Sequence, residues 1–264
     1  MAAGSSGSGG ASGGDGGISG GSGGGGGDRI RRRRRRERTP AHTGQRLHKR
    51  RGRKASSRQW LERQLNDPYV TAAKQHGYRS RAAFKLAQMA DKHTVFTAGD
   101  RVVDLGAAPG GWAQIARGRI GDTGAVVALD LLEMAPLPGV TICQGDITDD
   151  AAAARVRDAL PGGRADVVLS DMAPNTTGHR PTDRLRMLTI IEAALDLAEA
   201  VLAPGGRFLA KTLTLGGDEA VMDRLRGGFD HVRFIKPAAS RPESAETYVL
   251  ATGFRGGADP DPPA

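Results

Sequence analysis

Arg101-Val-Val-Asp104-Leu-Gly106-Ala-Ala-Pro-Gly110-Gly111-Trp112 is the stretch on which the fold turns. Arg101 to Leu105 is an apolar run of strand length, and a helix is predicted from about Trp112. The glycine turn between them lets the backbone bend sharply and approach a ligand without Cβ interference. A strand that runs through such a turn into a helix is one unit of an α/β sheet, and the pattern continues downstream. Strands are predicted at Ala125 to Leu129, ending at Asp130, at Val140 to Cys143, ending near Asp146, and at Asp166 to Leu169 after an Ala-rich helix over 150–160. Thr182 to Leu202 has helical apolar spacing, Pro204-Gly205-Gly206 breaks it, and Arg207 to Lys211 reads as a fifth strand. A helix around Asp218 to Arg226 and strands at His231 to Ile235 and Glu246 to Thr252 follow. Only the loop Lys236 to Ala245 joins the last two, too short for a parallel crossover, so that pair should be antiparallel. Upstream, Ser57 to Leu65 reads as a short helix and Ser80 as the cap of another, on which Phe84 enters the core and Lys85 faces out of it.

The rest of the chain is uneven. Residues 1–27 hold 15 of the 39 glycines and one charged residue, Asp15, and with almost no apolar surface they are expected to be a disordered tail. Arg29 to Lys54 lie in a segment, 28–54, with 14 Arg and Lys against Asp28 and Glu37, a net +12. With Asp15 subtracted as well, the whole-chain +9 leaves −2 for residues 55–264, so the basic character belongs to the tail and the third segment is expected to be a single α/β domain. A block of one sign repels itself, stays extended, and suits neutralisation of phosphates. One cysteine, Cys143, excludes an intrachain disulfide framework or a Cys-based metal site. No apolar run approaches the roughly 20 residues of a membrane span, and the N-terminus lacks a secretory core, which points to a cytoplasmic protein without a membrane partner.

Ligands of open α/β sheets bind beyond the carboxyl ends of the strands. The first end offers Asp104, Gly106, Gly110, Gly111 and Trp112, in a spacing that is not the G-x-G-x-x-G of a pyrophosphate binder. The second ends at Asp130, 19 residues after Gly111, where a carboxylate can accept both hydroxyls of a ribose. The third ends in Gln144-Gly145-Asp146, placed to meet an adenine edge. Because the loop keeps no phosphate nest, S-adenosyl-L-methionine fits these ends better than a nicotinamide dinucleotide, with Asp104 near the ligand's ammonium or orienting the glycine loop.

Four further residues stand in short contexts: Arg-Ala-Ala-Phe-Lys85-Leu, Ser-Asp171-Met-Ala-Pro-Asn175, Gly-Gly-Arg-Phe-Leu-Ala-Lys211 and Ser-Ala-Glu246-Thr-Tyr248. A lysine can take a proton from a hydroxyl only if its pKa falls from about 10.4, by burial or beside another cation. Lys211 at the fifth strand end and Lys85 on the preceding helix can supply such a pair. In these motifs, together with Val-Asp104-Leu-Gly-Ala-Ala-Pro-Gly-Gly-Trp112, Gln-Gly-Asp146 and Lys236-Pro…Ser-Arg241, the sequence from about Ala55 to Phe254 resembles the RrmJ/FtsJ-type large-subunit ribosomal RNA 2′-O-methyltransferases.

The resemblance implies a Rossmann-like class I methyltransferase fold, a seven-stranded mostly parallel sheet with one antiparallel strand and helices on both faces. It implies a Lys-Asp-Lys-Glu tetrad with Lys211 as general base, Lys85 and Glu246 aligning it and the ribose, and Asp171 touching cofactor and lysine. It also implies 2′-O-methylation of a uridine in 23S rRNA of the 50S subunit, by a monomer that needs no metal. Alternative readings are 2′-O-methylation of another RNA such as tRNA, or a ribosome-assembly RNA-binding factor whose catalysis is dispensable. The family pattern differs here after Lys211, where Thr-Leu-Thr-Leu-Gly-Gly stands in place of a Gln/Gly-rich turn, and at residues 1–54, beyond the likeness. Arg29 to Lys54 are read as an rRNA anchor, with Arg58, Arg79 and Arg81 as RNA contacts nearer the reacting site.

Overall fold

The computed structural model describes residues 65–175, 177–213, 219–241 and 244–256. Asp67 starts the first of their helices, α1 (Pro68–Gln75): its carboxylate accepts from the Tyr69 amide at 3.0 Å, and Pro68 stands where a missing N–H costs nothing. The next, α2 (Ala83–Lys92), begins later than Ser80 and has no side-chain cap. Ser80 belongs to the preceding turn, where its carbonyl accepts from the Ala83 amide. Of the helix predicted over Ser57 to Leu65, all but Leu65 lies outside the described residues, as do the two tail segments and Arg58.

Strands and helices then alternate as β1 (Arg101–Leu105), α3 (Gly111–Ile120), β2 (Ala125–Asp130), β3 (Val140–Gln144), α4 (Ala152–Ala159), β4 (Ala165–Ser170) and α5 (Arg180–Val201). They continue as β5 (Leu202–Leu213), α6 (Glu219–Gly228), β6 (Phe229–Ile235) and β7 (Glu246–Phe254). The seven strands form one sheet in the order β3-β2-β1-β4-β5-β7-β6. Only β7 is reversed: it pairs antiparallel with β5 and with β6, and every other pair is parallel. Pro204-Gly205-Gly206 does not separate helix from strand as the sequence suggested. It lies inside β5, whose pairing with β4 shifts between Leu202, opposite Ala165, and Arg207, opposite Val167; Gly205 at φ +80° fits this irregularity.

Side chains alternate across the sheet and divide the core into two layers. Val103, Leu105, Val127, Leu129, Val168 and Phe208 pack with Val156 of α4, Leu195 of α5 and Leu225 of α6. Val102, Val126, Leu169, Leu209 and Tyr248 face the other way, onto Leu86 and Met89 of α2 and Trp112 and Ala116 of α3. Each such fully buried side chain contributes roughly 2 kcal/mol relative to exposure. The carboxyl ends of β1 to β5 lie along one edge, and the reversed β7 begins there, with Glu246 opposite Leu213 and Tyr248 opposite Lys211.

Candidate active site

The loop after β1 turns through Gly106 at φ +68° and Gly110 at φ +107°, conformations that a Cβ opposes. Asp130 braces it: one carboxylate oxygen accepts from the Ala108 amide and the other from the Leu132 amide, both at 2.8 Å. Asp104 is buried at the end of β1, accepts from the Ala113 amide, and has one carboxylate oxygen with no hydrogen-bond partner. Burial, then the charge of Asp171, pushes its carboxyl well above the usual range; the Ala113 bond opposes this and the charge of Asp130 adds to it. A buried acceptor without a donor is what a ligand's ammonium or hydroxyl would satisfy, so this pocket of backbone and carboxylates fits S-adenosylmethionine. Asp146, after β3, accepts from the amide and hydroxyl of Thr148, which hold its pKa below the ordinary value.

Trp112 is placed with its side chain in the core and its backbone in the first turn after Gly110. Its side chain is 3% exposed, and the indole N–H donates to the Ala82 carbonyl at 2.9 Å. Its ring lies against Tyr248, centroids 5.7 Å apart. The first turn of α3 thus points the indole into the layer shared with α2, beneath the loop.

Lys85, Asp171, Lys211 and Glu246 come together. Leu169 and Leu209 face the α2 layer, so Asp171 and Lys211, two residues further along, are in phase with that face; Glu246 and Tyr248 share it on β7. Lys85 enters from α2 above. Its Nζ lies 2.9 Å from each Glu246 carboxylate oxygen and 3.6 Å from Asp171 Oδ1. Lys211 Nζ lies 2.8 Å from Asp171 Oδ1, 3.4 Å from Glu246 Oε2, and donates to the Asp171 carbonyl at 2.8 Å. Two ammonium groups and two carboxylates therefore form a neutral cluster with little access to solvent. Burial alone would raise the Glu246 carboxyl, yet the charges of Lys85 and Lys211 and hydrogen bonds from Lys85 and Ser240 bring it down to about 2.

Two residues not singled out from the sequence complete the cluster. Tyr248 donates its hydroxyl to Asp171 Oδ1 at 2.6 Å, and Ser240 donates to Glu246 Oε1 at 2.7 Å. Burial, then the negative charges of Asp171 and Glu246, raises the Tyr248 phenol well above its usual value, so it remains a donor at neutral pH. The motif Glu246-Thr-Tyr248 carried a signal for the tyrosine, since residues two apart on a strand share a face. Arg79 and Arg81, expected to contact RNA, also bond within the chain. Arg79 donates to the carbonyls of Pro109, Ala135 and Pro136, and Arg81 pairs with Asp67 at 2.8 Å and donates to the Ala239 carbonyl. Both hold loops together.

A family model described as FtsJ-like methyltransferase matches residues 78–254, a span that contains the whole cluster and the glycine loop. The chain belongs to the FtsJ-like methyltransferase family. It is 56% identical over 211 residues, 79% of this chain and 89% of the relative, to "Ribosomal RNA large subunit methyltransferase E" of Rhodopseudomonas palustris (strain TIE-1). The protein of the same name from Bradyrhizobium diazoefficiens is 58% identical over 209 residues, 78% of this chain and 91% of that one. Among solved structures, a Plasmodium falciparum protein assigned as a ribosomal RNA methyltransferase superposes with a TM-score of 0.62 at 27% identity, covering 68% of this chain and all of that one. The FtsJ-like fold expected from sequence, a mostly parallel sheet with one reversed strand, is thus present in full. Among the described residues no helix is long and apolar enough to cross a membrane.

Proposed function

We propose that this FtsJ-like methyltransferase methylates a ribose 2′-hydroxyl of large-subunit ribosomal RNA, a uridine of 23S rRNA, in the cytoplasm and on the 50S subunit or its precursor. The observation that carries the reading is the buried pair of lysines bridged by Asp171 and Glu246, at the sheet edge where the glycine loop also opens. The methyl donor is S-adenosylmethionine, which supplies a sulfonium-activated methyl group when bound. Asp104, the backbone at Gly106, Gly110 and Gly111, Asp130 and Asp146 would hold it: Asp104 through its unpartnered oxygen, Asp130 through lone pairs left beside the two amides. Asp171, between loop and lysines, would face both ligands.

In-line transfer demands that the hydroxyl be positioned and lose its proton. Lys211 is the general base, its Nζ held by the carboxylate and carbonyl of Asp171 and by Glu246. Lys85 Nζ shares both carboxylates with Lys211, so the two amines and two acids act as one coupled site. Glu246 fixes the two amines and Tyr248 fixes Asp171, so the hydroxyl meets an ordered set of donors and acceptors. Lys211→Ala should reduce methyl transfer by on the order of a thousandfold, as loss of a base does, with S-adenosylmethionine binding retained. Mapping 2′-O-methyl stops by primer extension on rRNA from a deletion strain, complemented by wild type or Lys211→Ala, tests this. A 23S pattern unchanged by deletion would remove rRNA as the substrate and turn attention to tRNA. Normal ribosomal subunit profiles with Lys211→Ala, against disturbed ones in the deletion, would favour a binding role over catalysis.

A further inference from the structure

We propose that Arg79 is a positioning residue of the cofactor site, a bracket that fixes the loop after β2 against the glycine loop after β1. Its guanidinium reaches carbonyls on both loops. Nη1 donates to Pro109 at 3.2 Å and to Ala135 at 2.7 Å, and Nη2 donates to Pro136 at 2.5 Å. A planar cation whose fixed donors leave separate nitrogens suits such a task, whereas a lysine's three donors all leave one nitrogen and cannot span the same carbonyls. The residue is held from behind as well: its amide donates to Gln114 Oε1 at 2.8 Å, and Gln114 Nε2 donates to the Gly77 carbonyl at 3.0 Å. Gly110 leaves the passage open, since a Cβ there would lie 3.0 Å from Arg79 Nη1 and 3.2 Å from Met134 Sδ.

The loop after β2 needs such a bracket. Leu131 and Leu132 are 62% and 68% exposed, and the loop's buried anchor is Met134 at 7%. A loop with so few packed contacts opens at low cost, and the affinity of a ligand falls with the fraction of protein in the competent arrangement. Six residues beyond Arg79 the same segment delivers Lys85, and between them the Ala82 carbonyl takes the Trp112 indole and Arg81 holds the Ala239 carbonyl. The cofactor loops and the tetrad are therefore set by one stretch of chain.

This inference rests on the S-adenosylmethionine reading above, and two measurements on the full chain keep them apart. Arg79→Ala and Arg79→Lys should each weaken S-adenosylmethionine binding by calorimetry on the order of tenfold. Both should also speed amide hydrogen exchange over residues 131–137 in the cofactor-free protein. Affinity for a 23S rRNA fragment and its salt slope should stay at wild-type values in both. The bracket is overturned if cofactor affinity and loop exchange match wild type while Arg79→Ala weakens RNA binding and lowers the salt slope by about one, the signature of a phosphate contact. Should Arg79→Ala not fold, Arg79→Lys decides alone, because a phosphate contact tolerates the lysine and the bracket does not. A wild-type chain that fails to bind S-adenosylmethionine would defeat the functional reading, while loop exchange still reports on the bracket.

Discussion

At Glu246 burial and charge act in opposite directions, and charge wins: the carboxyl stands at about 2, below its ordinary 4.5. A depressed folded pKa means that the stabilisation is present above the unfolded value and is lost as pH falls from about 4.5 towards about 2. Glu246→Gln should remove that part of the acid limb in thermal melts. It should also cost about 2 kcal/mol at neutral pH, less than a fully buried pair because the three side chains keep 9–15% exposure. Asp104 has the opposite sign. Its carboxyl is raised by burial, so its contribution is fully present below the usual carboxylate pKa and declines as pH rises through the higher folded value. Asp104→Asn should flatten this alkaline decline in the cofactor-free protein while weakening S-adenosylmethionine binding. A melt series from pH 3 upward, paired with calorimetry, separates the two effects, and an unchanged pH slope in Asp104→Asn would remove Asp104 from the account.

The turn between β6 and β7 is where element packing enters the site. Gln88 Oε1 accepts from the Ala239 amide at 2.7 Å and Arg81 donates to the Ala239 carbonyl, so α2 and the segment before it hold the turn that presents Ser240 to Glu246. Ser240→Ala should lower the rate of methyl transfer about tenfold, and Ser240→Thr, which keeps the hydroxyl, should recover most of it; equal loss in both variants would assign Ser240 to packing alone. Much of this architecture was legible beforehand. The strand ends near Asp104, Asp130, Asp146 and Asp171 were marked by apolar runs meeting glycine or acid, Lys211 by the run after Gly205-Gly206, though β5 continues to Leu213, and the short link before Glu246 gave away the reversed strand. Ser240 and Tyr248 escaped because their roles depend on the β5–β7 register, Lys211 opposite Tyr248, and on the turn's docking to α2. The internal partners of Arg79 and Arg81 were hidden for a related reason: they lie as far as 56, 57 and 158 residues away, and a sequence shows an arginine's charge but not its remote carbonyls. The inward turn of the Trp112 indole, onto the Ala82 carbonyl, depends on the phase of its helix.

For the whole molecule the question is how a chain whose residues 55–264 carry a net charge of −2 would hold a large polyanion. Many of its arginines are already matched: Arg81 to Asp67, Arg101 to Asp166, Arg207 to Asp100, Arg224 to Asp196 and Glu199, and Arg255 to Asp230. These pairs serve the fold more than a partner. The 14 cations between Arg29 and Lys54 stand outside the described residues and are the chain's densest block of positive charge. Tethered next to the catalytic domain, they would raise the local concentration of RNA without touching the chemistry. Removing residues 1–54 should therefore leave S-adenosylmethionine affinity at its wild-type value and weaken rRNA binding, most at low salt. If about six of the cations release counterions from phosphates, the plot of log affinity against log salt should lose a slope of roughly 4 to 5. Binding isotherms for wild type and the truncated chain from about 50 to 200 mM salt measure this directly, and coincident slopes would mean that the arginine segment serves something other than RNA.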